Sequence, residues 1–496
     1  KAGSFGMFNP AVSTNLKLNE KLSASLSGEW LSANGEYPYI LHYGEAGRDS
    51  SSVEKRENTD VKNLRLEGAL FANFSDKSSG NLRTYYYQSE RGLPGATILY
   101  NTSGFSKQRL RDNTFFTQAH YFNNLSGRWA LQANAKYNHG YVYYLDPEFL
   151  NAEGKLENRY RQNEFYGSVS ALFRALENLS FSASTDVVMN NMSANLPDFA
   201  YPTRYTSLSS LAAKYVSDRL LATASLLYTQ TSEHVRSGTA ADNRHRLSPY
   251  SSLTFQPFEA IDFRLRAFYK NIFRLPTFND LYYSRVGKRD LKPEDTHQVN
   301  IGFTYSTSAG DRLLLLTMTT DAYFNKINNK IVAYPNRNIF EWSMMNFGSV
   351  EIYGVDIALE SAFALSSKVK LLAGSSFTFQ DSRNKSNPGS PAHNHQLPYT
   401  PRFSGSGRAV VETPWLNAAY TLLWSGTRYT SAQNMPENRL SGYADHGISL
   451  SKSVEIKHNR IGLSVEALNL GNKNYEIVRN FPMPGRSFRG TISINF

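Results

Sequence analysis

The sequence predicts an all-β fold, a transmembrane antiparallel up-and-down β-barrel of about 22 strands with long extracellular loops and short periplasmic turns. Three observations lead there. Apolar and polar residues alternate with period two in segment after segment, each about nine to twelve residues long, the length of a tilted bilayer crossing. The apolar runs fall far short of the ~18 residues of a membrane helix, Leu313 to Met318 being the best of them. Short polar turns also alternate with long connections along the whole chain.

The elements follow in order. The opening "KAGSFGMFNP" lacks the apolar stretch of a signal peptide and reads directly as barrel strand. Short turns then fall at "NEK" 19, "SDKSS" 75, "NNLSG" 123, "LEN" 176 and "SDR" 217, and at "FEA" 258, "SAGD" 308, "LSS" 365, "ETPW" 412 and "IKHN" 456. Ten turns imply eleven long-loop hairpins, hence about 22 strands in one barrel domain over residues 1–496. Between the turns, Leu131, Ala133, Ala135 and Tyr137 alternate with Gln132, Asn134 and Lys136, and Val299, Ile301, Phe303 and Tyr305 with Asn300, Gly302, Thr304 and Ser306. One face is greasy and the other carries groups that a dry core would not tolerate unpaired. The last stretch, "GRSFRGTISINF", puts Phe488, Ile492, Ile494 and Phe496 toward lipid. A barrel leaves no open edge in the membrane, so this strand is expected to pair with the residues just after Lys1.

Composition agrees. There are 31 Tyr and 30 Phe, and no Cys, which excludes disulfides and thiolate metal sites. The formal charge of +11 comes from singly scattered Lys and Arg, with no basic block or basic helix, so nucleic acid is not an expected partner. Anionic lipid headgroups or anionic ligands suit such a distribution better.

Several stretches, in this order, are similar to the barrel of TonB-dependent outer-membrane receptors: "FRLPTFNDLYY" (Phe273 to Tyr283), "DLKPED" (Asp290 to Asp295), "NFGSVEIYGVDIALE" (Asn346 to Glu360) and "LNLGNKNYEIVRNFPMPGRSFRGTISINF". "NGEYPY" (Asn34 to Tyr39) and "ERGLPG" (Glu90 to Gly95) resemble the cobalamin-receptor-like branch, particularly its Bacteroidetes members. The resemblance implies an outer-membrane location and uptake of a scarce nutrient driven through the TonB complex. The nutrient is expected to be cobalamin or another corrinoid, with haem or a ferric siderophore as the alternative. It also implies that the terminal aromatic strand is read by the barrel-assembly machinery. Lipopolysaccharide and a surface lipoprotein lid are further implied partners. The N-terminal plug domain and TonB box of the family lie outside this numbering; a chain truly lacking them would be a passive, porin-like channel.

For the ligand, loop tyrosines offer rigid apolar plates with polar tips, suited to a large, mostly neutral macrocycle. The candidates are Tyr39, Tyr100, Tyr143, Tyr201, Tyr283, Tyr334 and Tyr429, together with Arg285; girdle and loop packing use the same residue type. Arg91, Lys107, Arg109, Arg111, Lys288 and Arg289 are loop cations that could draw in an anionic iron chelate or meet lipopolysaccharide phosphates. Haem receptors of the family need an axial histidine between the motifs near Arg274 and Glu294, and that interval holds none; His297 falls where the next strand begins. His393 and His395 have a spacing that can present two imidazoles to one metal, or they are solvated loop residues. Asp146 and Glu148 are too few for a loop-bound calcium on their own. No cofactor is expected. Nor is an enzyme: His446 and Ser449 fall three apart in a strand and face opposite sides.

Overall fold

The structure, a computed structural model, describes residues 1–43, 50–97, 106–335 and 342–496, the side chains of Tyr43, Tyr334, Pro335 and Trp342 excepted. Among these residues one antiparallel sheet runs continuously from Ala2 to Asn495. Its 23 segments amount to 22 strands, because Met7–Phe8 and Ala11–Lys17 are two pieces of one strand parted at Asn9 and Pro10. Proline has no N–H to give to a ladder. The Asn9 side chain substitutes for it, donating to the Trp30 carbonyl at 3.0 Å and to Glu29 at 2.9 Å. All ten short turns fall where the sequence places them.

Closure is made where expected. Ala2 and Gly3 pair with Gly490 and Arg489 of the last strand, Ser487–Asn495, and on their other side with Phe8 and Met7. Ser4 extends the seam, its N–H donating to the Phe488 carbonyl at 2.8 Å and its hydroxyl accepting from the Phe488 N–H at 2.9 Å. A Cβ at Gly3 would lie 2.7 Å from that carbonyl, so the seam tolerates only glycine there.

The outward faces carry the apolar set, with Ile301 63% and Ile492 69% exposed, and aromatic pairs bound the belt. Trp129 packs on Phe173 at 4.6 Å near the short-turn rim, and Tyr137 on Phe165 at 4.8 Å toward the loops. The inward faces are polar and largely satisfied. Arg266 bonds Asp321 at 2.9 Å, Lys136 and Asn190 both reach Glu164, and His120, Asn134 and Ser168 form a chain. Such a wall suits water.

Two expectations need correcting. Many strands outrun a single crossing, up to the 25 residues of Trp342–Ser366, because backbone groups leaving the bilayer on the loop side are satisfied by prolonging the ladder. Apolar alternation is no longer demanded there, so the sequence pattern fades before the strand does. The first loop is also not long: Ala2–Gly3 turns into Met7–Phe8 through three residues, with Phe5 and Gly6 both at positive φ.

Candidate functional site

At the loop end, the segment 275–293 between the strands Asp262–Arg274 and Glu294–Ala309 folds back onto the inner wall. Its shape is set locally. Thr277 caps the five-residue helix Phe278–Tyr282: its hydroxyl accepts from the Asp280 N–H at 3.2 Å, and the Asp280 carboxylate accepts from the Thr277 N–H at 2.9 Å. Arg274 ties that carboxylate to Glu294, at 3.2 and 3.1 Å. Phe278, Leu281, Tyr282 and Leu291 then bury against Tyr160, Met192, Phe199, Ala200 and Ile331. Tyr160 is buried between exposed Arg159 and Arg161, so the contact is on the lumen side of the strand Leu156–Arg174.

A buried polar latch pins the segment further round the wall. Arg204 and Glu233 sit directly opposite each other on adjacent strands, their side chains 11% and 3% exposed. Arg204 donates to Glu233 at 2.7 Å and to the Pro276 carbonyl at 2.7 Å, and lies over the Phe278 ring. The Tyr282 hydroxyl donates to the other Glu233 oxygen. Burial, and then this bond, raise the Tyr282 phenol above its usual range; burial also pushes Tyr283 up to about 12. Tyr283 stacks on Tyr160 at 4.3 Å, the Ser284 N–H donates to the Tyr160 hydroxyl at 2.8 Å, and the Met344 N–H to the Val286 carbonyl at 2.9 Å. The segment therefore bridges strands from Leu156–Arg174 to Trp342–Ser366 across the inside of the mouth.

A second group gathers around residues 475–482. Tyr443 and Tyr475 stack at 4.3 Å, and the Tyr475 hydroxyl donates to Asp445 at 2.9 Å. Arg428, 3% exposed, gives its protons to the carbonyls of Glu476, Ile477 and Ser441. Arg56, 1% exposed, donates to the Gly95 carbonyl and lies over Phe481. Desolvation lowers both guanidinium pKa values. Burial raises the Glu476 carboxyl, against the pull of the Asn480 N–H, Arg479 and Arg428. A carboxyl whose pKa rises on folding contributes stability below its unfolded value of 4.5, and that contribution is lost as pH climbs through the raised value. Glu476→Gln is accordingly expected to slow amide exchange at Asn480 near pH 8, with variant and parent alike at about pH 4; equal exchange near pH 8 would contradict it.

The candidate residues divide between these groups. Tyr283 and Arg285 lie on the inward segment, Arg285 over Phe149 at 4.8 Å, and Tyr201 packs edge-on against Phe199. Tyr39, 6% exposed, flanks Arg56, and Tyr429 pairs with Arg439 beside Arg428. Tyr143 is on the outward face, under Arg159. Tyr100 and the Tyr334 side chain lie outside the described residues. Most of the loop cations are already engaged: Arg91 with Asp112, Lys107 with Glu148, Arg109 with Asp60, Arg111 with Glu90 and Lys288 with Asp290. Arg289 rests over Tyr282. Lys107 thus occupies Glu148, and Gln108 donates to Asp146 at 3.0 Å, which leaves little for a calcium ion. His393 and His395 both lie in the 385–402 connection, and among the described residues no group of three or more His, Asp or Glu side chains is placed to hold a metal. His297 lies in a strand, bonded to the Tyr269 hydroxyl. His446 is bonded to the Tyr420 hydroxyl. Sequence reasoning missed Arg204, Glu233, Tyr282, Arg56 and Arg428, which carry most of the site's buried polar contacts.

Comparison with known proteins places this architecture. The family described as "TonB dependent receptor-like, beta-barrel" matches residues 43–470. A vitamin B12 transporter, BtuB, of Photobacterium profundum is 24% identical over 227 residues, 45% of this chain and 34% of that protein. The chain thus spans about a third of that relative's length. Among solved structures, the copper transporter OprC superposes with a TM-score of 0.77 at 15% identity, covering 99% of this chain and 78% of that one. The FrpB iron transporter of Neisseria meningitidis (F5-1 variant) gives 0.76 at 14%, covering 99% and 80%. The siderophore receptor PiuA of Acinetobacter baumannii gives 0.74 at 12%, with the same coverage of 99% and 80%. At these identities the structural likeness establishes the fold.

Proposed function

This chain belongs to the TonB dependent receptor-like β-barrel family of the outer membrane, and on that basis we propose that it forms the barrel of a transporter importing a corrinoid such as cobalamin. Energy would come through the TonB complex acting on a plug inside the wet lumen. The barrel-assembly machinery would insert it, reading the strand that carries Phe488, Ile492, Ile494 and Phe496. Lipopolysaccharide would surround the loop rim, and a surface lipoprotein would cover it.

One observation favours a neutral macrocycle over an anionic iron chelate. The cations facing the lumen at the mouth are tied to carboxylates, as Arg91 is to Asp112 and Arg274 to Glu294, while Tyr283 and Tyr201 supply aromatic surface. An anionic chelate would have to displace those ion pairs; a neutral ring with amide edges would not. The match to the B12 transporter points the same way.

Purified full-length receptor should therefore bind cyanocobalamin at micromolar or tighter concentration in a tryptophan-fluorescence titration. Haemin and ferric siderophores should leave the signal unchanged. Absence of corrinoid binding with binding of an iron chelate would overturn the substrate and leave the transporter class standing.

A further inference from the structure

The outward wall changes character with membrane depth. On the strand Leu156–Arg174 the outward residues are the odd ones: exposed Phe165 and Val169 alternate with buried Ser168, and exposed Arg159 and Arg161 with buried Asn158 and Tyr160. The aromatic pairs Trp129 with Phe173 and Tyr137 with Phe165 bound the apolar belt on these strands. Eight residues separate Phe173 from Phe165, about 27 Å along the strand and roughly 20 Å of depth at a tilt of about 40°. Four residues farther, Arg161 stands about 10 Å above the outer ring layer, at headgroup level.

At that height the surface is basic and aromatic. Tyr141 and Tyr143 are the direct cross-strand partners of Arg161 and Arg159, and each guanidinium lies over its partner's ring, at 5.6 and 5.7 Å. The neighbouring strand adds Arg111 opposite Tyr143. Carboxylates on this face are already taken: Glu90 by Arg111 at 3.0 Å, and Glu157 by Arg159 and by Lys155 at 3.3 Å. Among the described residues Arg161 has no carboxylate within ion-pair reach, so the face keeps uncompensated positive charge. Beneath it, His139 and Asn163 bond each other at 2.7 Å. That gives a polar step between ring layer and guanidinium.

We propose that this face, centred on Arg161 and flanked by Tyr141, Tyr143 and Arg159, binds a phosphate group of an outer-leaflet glycolipid whose acyl chains lie on the belt below. The inference rests on the outer-membrane orientation and makes the lipopolysaccharide partner a specific site. Planar guanidinium suits phosphate, and stacking on tyrosine holds Arg161 in place before the lipid arrives. Charge complementarity selects this occupant, since a neutral headgroup would leave Arg161 without a partner at the membrane surface.

Native mass spectrometry of detergent-purified full-length receptor, incubated with bis-phosphorylated lipid A, tests it. The parent should retain one lipid per barrel, and Arg161→Gln combined with Arg159→Gln should reduce retention roughly tenfold. Arg408→Gln, which removes a cation bonded to Glu360 on another strand, should leave retention unchanged. Dephosphorylated lipid A should be retained no better by the parent than by the double variant. Equal retention by parent and double variant would overturn the site. Equal retention of phosphatidylglycerol, or displacement of the lipid by millimolar inorganic phosphate, would overturn the glycolipid assignment. Cyanocobalamin titration of the double variant should match the parent, so failure of one proposal is separable from failure of the other.

Discussion

Replacing Glu233 with alanine is expected to release the 275–293 segment from the barrel wall while leaving the transmembrane ladder intact. The substitution strands the Arg204 guanidinium, 11% exposed, without its countercharge, and the Tyr282 hydroxyl without its acceptor. Breaking a buried ion pair from one side costs about 3–5 kcal/mol. The segment is otherwise held by one small apolar cluster, the Arg274–Asp280 pair and hydrogen bonds to Tyr160, Met344 and Asn346, none of which replaces the lost countercharge, so that loss falls on local docking. Arg285, Lys288 and Arg289 then become trypsin sites, and limited proteolysis should cut between them at least about tenfold faster than in the parent. Heat-modified electrophoretic mobility, which reports the folded barrel, should not change. Glu233→Gln keeps an acceptor for Tyr282 and should fall between the two. Corrinoid affinity should drop with Glu233→Ala, because Tyr283 and Arg285 ride on the same segment. An unchanged tryptic rate would show that the latch carries no load.

The strands were legible because a bilayer imposes one rule on every outward residue and a wet lumen imposes the opposite rule on the next. Val299, Ile301 and Phe303 against Asn300, Gly302 and Thr304 declare a crossing without any homologue. The closing pair of Gly490 and Arg489 with Ala2 and Gly3 was legible for the same reason, since lipid forbids an unpaired edge. Above the membrane the rule lapses. Arg204 and Glu233 are each a single charge on a lumen face that carries many, and nothing in "YPTRYT" or "TSEHV" says that they meet. Their importance arises from the inward fold of 275–293, which depends on Phe278 and Leu281 finding Tyr160 and Met192, both far earlier in the chain. The loop tyrosines were partly legible as a class. Their grouping was not, and Tyr143 faces outward because an odd residue on its strand shares the face of Leu131 and Ala135 whatever its height. The loop cations misled for a related reason: their carboxylate partners come from neighbouring strands and are invisible to a local reading.

Lysine in place of Ile301 should clearly destabilise the folded barrel, whereas lysine in place of Thr304, on the same strand, should be tolerated. Ile301 is 63% exposed on the outward face, in the middle of Glu294–Ala309, with Ala267 and Ala322 as its cross-strand partners. Neither alanine is long enough to shield an ammonium from lipid, and neither offers a counterion. A lysine there costs about 2–4 kcal/mol at mid-depth, less where it can snorkel toward an interface. Thr304 faces the lumen, 3.5 Å from the Thr319 hydroxyl, and water can solvate a lysine at that position. The contrast is sharper than either variant alone, because both add the same charge to the same strand and only the solvent differs. In urea titrations of barrels reconstituted in vesicles, the Ile301 variant should unfold at clearly lower denaturant and the Thr304 variant close to the parent. If Thr304→Lys were the more damaging, residues 300, 302, 304 and 306 would have to face lipid, and the inward assignment of the 275–293 segment, which depends on the same parity, would fall with it.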